Sequence, residues 1–242
     1  VLPTTARGVI GDITRKTLTV SLTGATSKVY DSTTAAQLSA NNFVFEGLVS
    51  GESLSISQPR GTYASKNAGS QIIVTANVSP ADFTAGSGTL LTNYVLPSTT
   101  VSGAIGEITP KALTVSLVGV ARRAYDGTLA ATLTSDNYNL SGFVGDDRLT
   151  VTQTQGLYAS KDVGTQISVS AALSASNFAA SGTTLASNYV LPTTASGVIG
   201  DITRKTLTVS LTGATSKVYD STTAAQLSAG NIVFDGLVDG ES

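Results

Sequence analysis

Apolar residues alternate one for one with threonine and serine along much of the chain. Leu18, Val20 and Leu22 interleave with Thr19, Ser21 and Thr23, a period of two that puts one set on the buried face of a strand and the other on the wet face. The same alternation runs through Leu54-Ser55-Ile56, Leu149-Thr150-Val151-Thr152 and Ile167-Ser168-Val169-Ser170-Ala171, with β-branched or small polar neighbours throughout. Gly, Asn, Asp and Ser punctuate these runs. No long stretch has helical spacing with caps, and Ser79-Pro80-Ala81-Asp82-Phe83 and Ala175-Ser176-Asn177-Phe178 predict one short turn each. The pattern predicts an all-β chain of immunoglobulin-like β-sandwich domains. Their cores are expected to be built by residues such as Leu18, Val20, Leu22, Ile72 and Val74, and by Leu113, Val115, Ile167 and Val169.

The pattern also recurs. Val1-Leu2-Pro3-Thr4-Thr5 returns at Val95 and again at Val190, a period of about 95 residues, long enough for each copy to hold its own core. Lys16–Val20 matches Lys111–Val115 and Lys205–Val209; Tyr30-Asp31-Ser32 matches Tyr125-Asp126-Gly127 and Tyr219-Asp220-Ser221; Asn93-Tyr94-Val95 matches Asn188-Tyr189-Val190. The first and third copies are nearly identical where they overlap, with differences such as Arg7/Ser196, Asn41/Gly230, Phe43/Ile232 and Ser50/Asp239, whereas the middle copy diverges. Such alternation implies a duplicated two-domain unit, and tandem domains strung in an elongated array. Taking the Asn-Tyr-Val-Leu run as a final strand and the Gly-containing stretch after it as the polar lead into the next domain, complete domains are expected at 16–110 and 111–204. Residues 1–15 then belong to a preceding repeat and 205–242 to the first half of a following one.

Composition narrows the chemistry. The chain has no Cys, Met, Trp or His, which removes disulfides, thiolates, imidazole bases and the usual zinc ligands; a thiol-free chain is compatible with export. Charged residues make up 12%, with 14 Lys and Arg against 16 Asp and Glu, so no basic field invites nucleic acid or anionic lipid. No apolar run reaches the ~20 residues of a membrane span, and the first residues lack the features of a signal peptide.

The landmarks Ile108-Thr109-Pro110-Lys111-Ala112-Leu113-Thr114-Val115, Tyr125-Asp126-Gly127-Thr128 and Asn188-Tyr189-Val190-Leu191 before Gly197 resemble the YDG-type repeats of large bacterial exoproteins of the filamentous haemagglutinin class. The resemblance covers the chain end to end. It implies surface display or secretion, often by the two-partner route, with roles in adhesion and biofilm cohesion, and it supplies no catalytic residues. Two departures stand out. Ser32 and Ser221 replace the glycine of the Tyr-Asp-Gly pattern, which suits serine only if the turn does not demand positive φ, and Arg15 and Arg204 stand where the pattern has proline.

Four sets of residues are candidates for more than structure. Tyr30, Tyr125 and Tyr219, each followed by an aspartate (Asp31, Asp126, Asp220), could stack on sugars; packing of the ring at a sandwich corner, with the aspartate forming a turn, is the preferred reading. Asp12, Glu107 and Asp201 recur near the junctions and Asp146-Asp147 forms an acidic pair, but no EF-hand or dense Asp-Gly-Asp motif accompanies them, so solvated turn carboxylates are expected and no metal. Lys16, Lys111, Asn93 and Asn188 recur at strand-like positions where a Lys–Asn amide cross-link could form, though both types are ordinary at strand edges. Serine and threonine nucleophiles lack a histidine base. No catalytic, cofactor or metal site is therefore expected, and the chain is not expected to be an enzyme. The function expected is that of a stalk or fibre segment of an extracellular bacterial adhesin, partnered by neighbouring repeats. The alternatives are a multivalent glycan-binding module meeting surface polysaccharide, and a filament subunit pairing with identical molecules through strand edges.

Overall fold

The computed structural model describes residues 3–241. Among them every regular element is a β-strand or a single 3-10 turn, as the alternating pattern requires, and the chain is all-β. It divides into two compact units, Val1–Lys111 with Ser187–Val190, and Ala112–Ala186 with Leu191–Ser242.

In the first unit, Thr19–Leu22 pairs antiparallel with Phe43–Glu46, so that Leu22 stands opposite Phe43 with both side chains buried. Leu54–Ile56 pairs with Phe83–Ala85 in the same sense, and Lys16–Thr17 runs parallel to Tyr94–Val95. The main sheet has five strands in the order Thr26–Val29, Thr99–Thr109, Gly69–Val78, Arg60–Tyr63, Ala35–Gln37. Its inward face contributes Tyr63, Val74, Ala76, Val78, Val101 and Ile108, which close on Leu18, Leu22 and Phe43 as a continuous apolar core. The second unit repeats the sheet as Ala121–Ala124, Thr194–Thr203, Gly164–Ala172, Gln155–Tyr158, Ala130–Thr132, over a core that includes Leu113, Leu117, Leu133, Val151, Tyr158, Val169 and Ile202.

Four of the expected core residues, Val20, Ile72, Val115 and Ile167, are only half-buried. For Ile72 and Ile167 the reason is local. Gln71 and Gln166 adopt φ of 53° and 55°, the sheet register shifts beside them, and a bulge of this kind re-aims the next side chain. The 3-10 turns at Pro80–Asp82 and Ala175–Asn177 form where they were expected. Each opens with a serine whose backbone N–H donates to the residue three on, Ser79 to Asp82 at 2.7 Å and Ser174 to Asn177 at 2.8 Å.

The stretch between the Asn-Tyr-Val strand and the next lysine, expected to be a polar lead, is instead the longest strand of its unit: Thr99–Thr109 in the first and Thr194–Thr203 in the second. Its glycines conceal it. A Cβ on Gly106 would meet the Tyr63 ring at 2.6 Å, and one on Gly200 would meet the Tyr158 ring at 2.8 Å, so only glycine lets this strand pass beneath the tyrosine. Residues 5–14 match the Thr194–Thr203 strand except for Arg7 in place of Ser196, but residues 3–15 join no sheet, and Val9, Ile10 and Ile13 are exposed there.

Within the second core the Oη of Tyr138 is buried with no hydrogen-bond partner among the described residues, whereas the first copy carries Phe43 at this place. An unpaired buried hydroxyl costs about 1–3 kcal/mol. Tyr138→Phe is therefore expected to leave the protein equally stable or to raise its urea midpoint, and a clear loss of stability would show that the hydroxyl has a partner.

Candidate functional site

The Tyr-Asp motif follows the first strand of the five-stranded sheet, where the chain leaves Val29 or Ala124 and turns back. Asp31 makes this turn by accepting from the Thr33 N–H at 2.9 Å and the Thr33 hydroxyl at 2.9 Å. The ammonium of Lys28 donates to the same carboxylate oxygen at 2.7 Å, and to the carbonyl and hydroxyl oxygens of Thr33 at 2.7 and 2.8 Å. Lys28 lies 5.4 Å from the centre of the Tyr63 ring, and Tyr63 donates its own hydroxyl to the Thr26 carbonyl. Arg123 repeats every contact in the second unit. It binds Asp126 and Thr128, lies 4.9 Å from the Tyr158 ring centre, and Tyr158 donates to the Ala121 carbonyl at 2.9 Å. The third copy holds Lys217, Asp220 and Thr222 in the same triangle.

The motif is thus a clasp: a cation two residues before the tyrosine ties the turn to the tyrosine of the neighbouring hairpin. The sequence shows this cation as a basic residue in constant register, two places before each Tyr-Asp, but its ring contact depends on a tyrosine more than thirty residues away. Burial alone would push Asp31 up; the Lys28 ammonium and the Thr33 donors outweigh it and hold the carboxyl below its usual value. Asp126 is lowered as well, first by the Thr128 N–H, and Asp220 by the Lys217 ammonium. A carboxyl with a lowered folded-state pKa stabilises above its unfolded pKa of about 4, and that contribution disappears as pH falls through the folded value. Melting temperatures of the parent and of Asp31→Asn with Asp126→Asn should therefore differ at pH 6 and draw together as the pH falls below the ordinary carboxyl pKa of about 4; a difference that does not shrink in acid would contradict the clasp.

The glycine position of the motif has φ of 75° at Gly127 and 65° at both Ser32 and Ser221. The turn does demand positive φ, and serine adopts it, held there by the Asp31 and Asp220 turns. A left-handed non-glycine residue costs about 1–2 kcal/mol, so Ser32→Gly is expected to raise stability by about 1 kcal/mol in urea denaturation, and an unchanged or lower midpoint would show that serine carries no strain there.

The other candidates are dispersed. Tyr30 is 3% exposed, its ring packed edge-on against Tyr189 within the first unit at 5.5 Å and 79°; Tyr125 is half-buried and donates to Glu241 at 2.5 Å; Tyr219 is exposed. Asp12 lies in the unpaired segment and Glu107 on the outer face of the long strand, while Asp201 accepts from Arg122 at 2.7–2.8 Å. Asp147 accepts from Thr184. Among the described residues no three acidic side chains gather as a metal site would require. Lys16 is exposed on its parallel ladder opposite Tyr94, next to an exposed Asn93. Asn188 is buried and its amide is engaged by Asn67 and Ala68.

No curated relative and no solved structure matches the chain. A family model does: the YDG domain matches residues 14–101 and again 109–196. Each match spans one Tyr-Asp clasp and runs to the start of the long strand that follows it, and together they take in most of the sequence, so the chain belongs to the YDG domain family.

Proposed function

We propose that this chain is a load-bearing stalk or fibre segment of a large extracellular bacterial adhesin, its repeats being immunoglobulin-like β-sandwiches strung in an elongated array that supports cell adhesion and biofilm cohesion. One observation carries the reading. The opening of each repeat is bonded to its end by parallel strands: in the first unit Lys16–Thr17 with Tyr94–Val95 and Thr26–Val29 with Gly106–Thr109, in the second Ala121–Ala124 with Gly200–Thr203. Pulling the two ends of a repeat apart slides parallel strands past one another, so all the hydrogen bonds of the ladder resist together. Antiparallel terminal strands would unzip one bond at a time.

Two further features support it. The clasp locks the turn that follows the loaded strand, its cation bonding both the aspartate and the threonine of that turn. The near-identity of the first and third copies fits duplication for length. Progressive deletion of two-repeat units from the parent protein should shorten the surface fibre, and weaken cell–cell contact, in step with the number removed. Adhesion that vanishes with a single unit, or persists unchanged without any, would overturn the proposal. Saturable binding of one defined glycan by the isolated chain would promote the lectin reading instead.

A further inference from the structure

The middle copy keeps the glycine of the motif, and with it an Asp-Gly bond, Asp126-Gly127, where the first and third copies have Asp31-Ser32 and Asp220-Ser221. The three turns are built alike. In each, the aspartate accepts from the N–H and hydroxyl of the threonine two residues on and from the cation three residues back. The residue between holds a φ of 65° or 75°. They differ in what surrounds the aspartate side-chain carbon. The peptide nitrogen after an aspartate can close a five-membered ring on that carbon, and glycine, with no side chain to obstruct, leaves the nitrogen least hindered. The cation differs in step. Arg123 grips Asp126 and the Thr128 hydroxyl with one nitrogen and the Thr128 carbonyl with another, whereas Lys28 serves the equivalent three acceptors with a single ammonium. The copy with glycine has the arginine, and the copies with serine have lysine.

We propose that Asp126-Gly127 is a site of spontaneous isoaspartate formation, and that Arg123 and Thr128 guard it. When the clasp opens, the Gly127 nitrogen attacks the Asp126 side-chain carbon. A new N–C bond forms, the nitrogen gives up its proton, and the carboxyl hydroxyl leaves as water. A second water then cleaves the original Asp126–Gly127 amide, and the main chain runs through the former side chain, longer by one carbon. The turn has then lost the acceptor that Thr128 and Arg123 bind, so the clasp does not close again. In the closed clasp three donors fix the carboxylate and keep it ionised, the form whose oxygen leaves least readily; the Thr128 N–H contributes most to this. Ring closure also requires Asp126 and Gly127 to leave the turn, which the bonds to Thr128 oppose. The Asp126 side chain is half exposed, so water has access once the clasp is open. The modification is a covalent record of clasp opening, and it holds whether or not the repeats carry load.

The test ages the 242-residue protein in warm neutral buffer and locates isoaspartate by peptide mass spectrometry with electron-transfer fragmentation. Slow conversion at Asp126 is expected, with far less at Asp31, whose turn carries serine. Arg123→Ala should speed conversion at Asp126 about fivefold, the change in open population that loss of an exposed ion pair brings. Arg123→Lys should return it close to the parent rate, and Gly127→Ser added to Arg123→Ala should bring it down to that of Asp31. If Arg123→Ala also loosens amide exchange at Val169, Thr128→Val decides the point: it removes only the hydroxyl that Arg123 binds and should speed conversion likewise. Equal conversion at Asp31 and Asp126, or a rate untouched by both variants, would overturn the proposal. So would a parent rate as high as that of a free peptide of residues 120–132.

Discussion

Truncating Leu113 to alanine is expected to destabilise the second unit by about 2–5 kcal/mol, because the side chain is 5% exposed within a closed core and its removal leaves a cavity that strands cannot collapse to fill. Leu113 precedes Thr114–Leu117 as Leu18 precedes Thr19–Leu22, so the matching change Leu18→Ala gives an internal comparison in the first unit. Urea unfolding followed by amide exchange should show protection lost across the sheet containing Val169 and Ile202 in the first variant, and across that containing Val74 and Ile108 in the second. Equal loss in both units from either change would mean that the repeats do not have separate cores.

The next largest effect belongs to a residue with no side chain. A valine at Gly200 would drive its Cβ to 2.8 Å from the Tyr158 ring and 2.9 Å from the Ile167 carbonyl oxygen, contacts that real side chains do not tolerate. Overpacking of this kind costs about 1–3 kcal/mol. Relief would come from moving the ring, which carries Arg123 on it and bonds the Ala121 carbonyl, so the variant should also loosen the Asp126 turn. A lower urea midpoint together with faster exchange at the Thr128 N–H is the expected outcome; full stability would mean that the ring and strand part without penalty.

The strands with clean alternation were legible because each has one face in the core: Leu18 and Leu22 are buried while Thr19 and Ser21 are exposed, and the lengths of such runs fixed most element positions. The repeat register was legible from identities alone. The long strand through Gly103 and Gly106 was not, because two register shifts break its alternation and its glycines answer to Leu22 and Tyr63, distant in sequence. Serine at a positive φ was likewise hidden, since nothing in the residue type announces it; the Asp31 turn that holds it becomes visible only with the bonds to Thr33. The clasp was half legible. Tyr-Asp stood out in every copy, but its cation-binding role needs the neighbouring hairpin's tyrosine to come within reach, a contact set by the fold rather than by spacing.

Whether the repeats are built to carry load is most directly tested by pulling a single molecule by its two ends. Parallel ladders loaded in shear should give two separate unfolding events, each releasing about 30 nm of chain for a repeat of this length. Both events should weaken when the clasps are removed by Lys28→Ala and Arg123→Ala. Smooth extension without force peaks, or one event releasing both repeats together, would contradict a load-bearing array.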